Sequence, residues 1–180
     1  SLSSDGTIVA IGATWNDGVN GQDSGHVRIY KYDGTNWGQL GDDIDGEAAE
    51  DNSGWSVSLS SDGTIVAIGA PYNDGDNGSN SGHVRIHQYD GTTWTQLGTD
   101  IDGAAAGDKS GHSVSLSADG KTVAIGSPGN EGNTGHVRIF EYIESSWTQL
   151  GGDINGAAAG DESGYSVSLS ADGKTVAIGS

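Results

Sequence analysis

Carboxylates are the groups best placed for chemistry in this chain of 180 residues, which carries 25 acidic side chains against 7 basic ones and a formal charge of −18. Some recur as pairs, in Asp43-Ile44-Asp45-Gly46 and Asp100-Ile101-Asp102-Gly103. In an extended segment alternate residues share a side, and two neighbouring carboxylates are the apparatus of acid/base work such as glycoside hydrolysis. The pair becomes Asp153-Ile154-Asn155-Gly156 further along, a variation expected of a repeated structural connection, so no catalytic residue is assigned.

A second oxygen-rich set lies at short spacing on glycine-rich stretches: Asn16, Asp17 and Asp23, then Asn73, Asp74 and Asp76. Such side chains can wrap a hard cation, and Ca²⁺ is the ion they would suit; otherwise they are the residues that turns require. No cofactor is required by any motif. His26, His83 and His136 each open the same Gly-His-Val-Arg-Ile motif, too far apart for a three-histidine centre. Arg28, Arg85 and Arg138 follow two residues later and are expected to pair with acidic neighbours from an adjoining unit. Aromatic Trp55 and Tyr165 alternate with His112 at one position of Ser-Gly-x-Ser-Val and are the ligand-binding candidates, while Trp37, Trp94 and Trp147 read as packing.

These groups are positioned by a repeat. Ser-Leu-Ser-[Ser/Ala]-Asp-Gly begins at Ser1, Ser58, Ser115 and Ser168, with periods of 57, 57 and 53 residues. Within one unit, Ser56-Val57-Ser58-Leu59-Ser60 alternates with period two, and Thr64-Ile65-Val66-Ala67-Ile68-Gly69 is almost continuously apolar, the pattern of a strand buried on both faces. A polar loop leads to the alternating Gly82-His83-Val84-Arg85-Ile86-His87-Gln88-Tyr89, and an Asp-Gly turn leads to Thr93-Trp94-Thr95-Gln96-Leu97. Asn16 to His26 and Asn73 to His83 span ten positions but Asn130 to His136 only six, which marks a surface loop. Nothing reads as a long helix. The fold class is therefore all-β: β-propeller blades, each a four-stranded antiparallel meander, ahead of a β-solenoid, whose coils are about 20 to 30 residues long.

At Ser53-Gly54-Trp55-Ser56-Val57, Ile68-Gly69-Ala70-Pro71 and Gly82-His83-Val84-Arg85-Ile86 the chain resembles FG-GAP repeats, the blades of integrin α-chain propellers and related surface proteins. The motif returns at Ser110-Gly111-His112-Ser113-Val114 and Ser163-Gly164-Tyr165-Ser166-Val167. The resemblance implies residues 1–52 as an N-terminally incomplete first blade, 53–109 and 110–162 as the second and third, and 163–180 as the start of a fourth, in a segment of a larger ring or array. The family's calcium loop has shrunk here to Ser61-Asp62-Gly63-Thr64, leaving one acidic residue where Ca²⁺ wants six to eight oxygens. Asp5, Asp62, Asp119 and Asp172 are thus expected to be turn residues.

Charge of this sign repels nucleic acid, no run approaches the apolar length needed to enter a membrane, and cysteine is absent. The resemblance, the acidity and the near-identical copies lead to the expectation of a non-catalytic extracellular or cell-surface module, adhesive or structural, whose partners are protein or glycan ligands or further repeats. A lectin-like propeller is the alternative, and an enzyme domain the weakest, since no non-repeated constellation stands out. Asn77-Gly78-Ser79 is a glycosylation sequon in the long loop.

Overall fold

A computed structural model describes residues 1–180 apart from the side chain of Glu131. Three antiparallel sheets follow one another along the chain, and a hairpin closes it. The first sheet holds β1 (Ile8–Ala13), β2 (His26–Tyr32), β3 (Trp37–Gln39) and β4 (Ile44–Asp45). The second holds β5 (Ser56–Leu59), β6 (Ile65–Ala70), β7 (His83–Tyr89), β8 (Trp94–Gln96) and β9 (Ile101–Asp102). The third repeats it as β10 (Ser113–Leu116), β11 (Thr122–Ser127), β12 (His136–Ile143), β13 (Ser146–Gln149) and β14 (Ile154–Asn155); β15 (Ser166–Leu169) and β16 (Val176–Gly179) form the hairpin. In the first sheet the place of the innermost strand is held by a single bridge between Leu2 and Val9.

The second and third sheets each carry one strand more than the four expected. The seven-residue β7 pairs with β8 only over its last three residues, from His87 opposite Gln96 to Tyr89 opposite Trp94. Its first half would leave a free edge, and β9 covers it by pairing His83 with Asp102 and Val84 with Ile101. A two-residue strand has no periodicity to show in a sequence, which is why this segment reads there as a mere connection.

The core lies between sheets. Val27, Ile29 and Ile44 of the first sheet pack with Leu59, Val66 and Ile68 of the second, and Trp94 closes the layer. The next seam repeats the arrangement with Val84, Ile86 and Ile101 against Leu116, Val123 and Ile125, closed by Trp147. Each Trp also donates its indole N–H across the seam, Trp94 to the Leu40 carbonyl and Trp147 to that of Leu97, both at 2.7 Å. An apolar body with one polar tip is what such a position needs.

Serines of the innermost strands join the seams. Ser1, Ser58 and Ser115 each accept a hydrogen bond through Oγ from the backbone N–H of Leu59, Leu116 and Leu169 in the following unit, at 2.9 to 3.0 Å. Backbones also come into direct contact: a Cβ on Gly69 would stand 2.0 Å from the carbonyl oxygen of Gly111, so only glycine fits.

Candidate functional site

Strand register places one set of polar side chains at one end of the sheets. His83 opens β7 opposite Ala70, the last residue of β6, and Ser56 opens β5 opposite Gly69. Trp55, the loop 72–81 and the head of β7 therefore share that end, where the turn after β4 brings Glu47 over from the first sheet.

There the first and second sheets build a cleft of about 240 Å³ lined by Glu47, Asn73, Asp74, Asp76, His83, Asp100 and Asp102. His83 is 2% exposed, and its Nδ1 stands 4.0 Å from Glu47 Oε2 and 3.9 Å from Asp100 Oδ2. These three ligand atoms lie within 4.8 Å of one another, and no hydrogen bond joins them. Burial, reinforced by the Arg85 charge, holds the His83 imidazole below its ordinary pKa and so neutral. Neighbouring side chains orient the carboxylates: Arg85 Nη1 lies 3.4 Å from Glu47 Oε1, and the amide of Gln96 donates to Asp100 Oδ1. Arg85 is itself anchored by donating from Nη2 to the carbonyl of Asp45 at 2.6 Å. Burial raises the pKa of Glu47, and burial followed by the charges of Asp100 and Asp76 raises that of Asp102.

Glu47 is the residue that comparison of motifs passes over. Its counterparts are Ala104 and Ala157, so at the next seam no carboxylate faces His136 from that position. There Arg138 keeps the anchoring bond, to the Asp102 carbonyl at 2.6 Å, but His136 Nδ1 meets Asn130 at 3.4 Å. In the first sheet His26 is grouped with Asp43 and Asp45, yet Asp43 is already held bidentately by Arg28 at 2.9 to 3.0 Å and by Gln39. The signal in the sequence was the one break in the alanines of Gly-Ala-Ala-Ala, which reads Gly46-Glu47-Ala48-Ala49 in the first copy.

The residues singled out from sequence do not gather in one place. Asn73, Asp74 and Asp76 line the cleft, but Asp74 Oδ1 closes its own loop by accepting from the Asn80 N–H at 2.7 Å, and the buried Asn73 amide donates to Asp51 across the seam. In the first loop Asp17 accepts from the Asp23 N–H at 3.0 Å, and the Asn16 carbonyl accepts from Gly25. Asp23 lines a neighbouring, wider cavity of about 490 Å³ with Trp15 and Tyr72. Trp55, His112 and Tyr165 form a ladder across the seams, with ring centroids 5.6 and 4.7 Å apart, and none of them enters the cleft. Asn77, the sequon residue, donates its amide to the Gly103 carbonyl at 2.7 Å. The shortened calcium turn offers no cation seat, because Asp62 Oδ1 accepts from Ser60 Oγ and from both the N–H and hydroxyl of Thr64.

No curated protein matches the chain. Among solved structures it is similar to a Bacteroides uniformis ATCC 8492 protein assigned as a 6-phosphogluconolactonase, with a TM-score of 0.62 and 16% identity over 99% of this chain and 45% of that one. It is also similar to PpgL, the periplasmic gluconolactonase of Pseudomonas aeruginosa, with a TM-score of 0.56 and 16% identity over 94% of this chain and 46% of that one. The chain spans less than half the length of either. The shared fold is the β-propeller, as the repeats suggested. Two expectations are corrected by these neighbours: that the chain is an adhesive or structural module, and that it is no enzyme. Both rested on the resemblance, the acidity, the near-identical copies and the want of a non-repeated constellation, and Glu47, placed beside a buried histidine, is not repeated. The resemblance carried by the motifs does hold: the FG-GAP repeat model matches residues 44–86, the stretch from β4 through β7 that contains Glu47, His83 and Arg85.

Proposed function

We propose that the three sheets and the terminal hairpin are blades of a larger propeller hydrolase that opens a sugar-derived lactone. The observation that carries this reading is the convergence of His83, Glu47 and Asp100 from two sheets on one point of an open cleft. The lactonases sharing the fold supply the reaction class. Opening a lactone needs an activated water to attack the carbonyl carbon and a proton for the ring oxygen that departs. Groups about 4 Å apart leave a seat for an oxygen within hydrogen-bond reach, roughly 2.8 Å, of each. The carboxylate of Glu47 or Asp100 that takes the proton from the water returns it to the departing oxygen, and Asp102, whose pKa burial raises, lines the same cleft.

Electrostatics favour an uncharged substrate. Five carboxylates line the cleft, and a phosphorylated lactone would be repelled by them. Hydrolysis of glucono-δ-lactone by the purified chain, followed in a pH-stat, is the test. We expect turnover above the spontaneous rate, slower turnover of the 6-phosphorylated lactone, and a loss of about a hundredfold or more in E47A, in line with the usual contribution of one acid/base group. E47A installs the residue of the other two copies at a side chain 45% exposed, so its fold should stand. Absence of turnover, or full turnover in E47A, would overturn the proposal.

A further inference from the structure

We infer that the point shared by His83 Nδ1, Glu47 Oε2 and Asp100 Oδ2 binds a divalent transition-metal cation of the zinc type. The inference deepens the hydrolase reading, since the ion would sit where the attacking water is placed.

Three observations combine. The donor set is one imidazole and two carboxylates, which suits zinc-type ions; Ca²⁺ takes oxygen ligands. His83 is almost wholly buried, with Nδ1 turned into the cleft and no hydrogen bond to it, the condition of a ring whose lone pair awaits a partner. Its Nε2 is buried without a partner too, so packing alone fixes the ring. Outer contacts then hold the carboxylates: Arg85 takes the other oxygen of Glu47 and Gln96 that of Asp100, leaving Oε2 and Oδ2 to face the imidazole.

Separation of the donors agrees with such an ion. A tetrahedral cation with bonds of about 2.0 to 2.1 Å holds its ligands about 3.4 Å apart, so the carboxylates would move inward by about half an ångström. Both can, being partly exposed side chains at the cleft mouth. Three protein ligands leave a fourth position for water, the arrangement by which such ions activate it. Asp74, Asp76 and Asp102 add a negative field around the point. Among the described residues no second group is equally free, because Arg28 engages Asp43 beside His26 and Ala104 replaces the glutamate beside His136.

Calorimetric titration of the metal-free 180-residue chain with Zn²⁺, and absorption titration with Co²⁺, should show one ion per chain. E47A should weaken binding at least about tenfold while leaving the melting temperature of the metal-free protein in place, and A104E should add a second site beside His136 and Asp153. No binding, equal affinity in E47A, or a preference for Ca²⁺ over Zn²⁺ would overturn the inference. Lactone turnover by a chain that takes up no metal would sink the metal site and spare the hydrolase; metal uptake without turnover would do the reverse.

Discussion

His87 lies in mid-β7, 7% exposed, where the first sheet has Tyr30 and the third has Phe140. Its Nδ1 is buried without a partner, and burial, aided by the Arg85 charge, lowers its pKa from 6.5 to about 4. An unfolded chain therefore takes up this proton at higher pH than the folded one. The stabilisation is complete above pH 6.5 and drains away as pH falls towards 4. Linkage puts its loss at about 2 kcal/mol by roughly pH 5. Urea unfolding at roughly pH 7.5 and 5 should show H87F narrowing the difference between them by about that amount; an unchanged difference would exclude His87 as the cause. His83, His112 and His136 are shifted in the same direction by burial and steepen the same slope. Residue-level legibility was uneven. The turn aspartates could be recognised from Ser-x-Asp-Gly alone, as local hydrogen bonds need only local sequence. Glu47 could not, since its meaning depends on a histidine 36 positions later in another sheet.

Among the elements, strands with a period announced themselves. Buried β6 and alternating β7 occupy the segments their patterns predict, but in β7 the polar face is covered as well: His83, Arg85 and His87 are as buried as Val84 and Ile86, which alternation alone does not announce. The pairing of β9 depends on the unpaired half of β7, a property of the partner, and so left no trace. Glycines separate in the same way. G69A would drive a methyl into the Gly111 carbonyl across the seam and should cost at least about 2 kcal/mol. Gly38, in the exposed β3, has nothing within 4 Å of an added Cβ, so G38A should change stability by no more than about 0.5 kcal/mol. Thermal denaturation of the two variants side by side measures the contrast, and equal effects would refute the close contact.

On the scale of the molecule, a charge of −18 opposes the stacking that buries the seams. Carboxylates crowd the end that carries the cleft, and the ion pairs that offset them are few. Raising sodium chloride from roughly 0.01 M to roughly 0.5 M shortens the screening length severalfold, so the melting temperature should climb with salt at neutral pH. A flat response would mean that the repulsion is already neutralised within the fold.

The hydroxyl-to-amide links between units recur one period apart, and nothing in them distinguishes one seam from the next. A gene encoding such a chain can lose or gain a whole period in frame without meeting a forbidden junction. Excision of residues 53–109 would join Asn52 to Ser110 and bring Glu47 into register with His136, Arg138 and Asp153, beside a shorter loop and with Asn155 in the place of Asp102. Architecture and the glutamate beside the histidine are then heritable separately: the seams belong to every unit, and Glu47 to one.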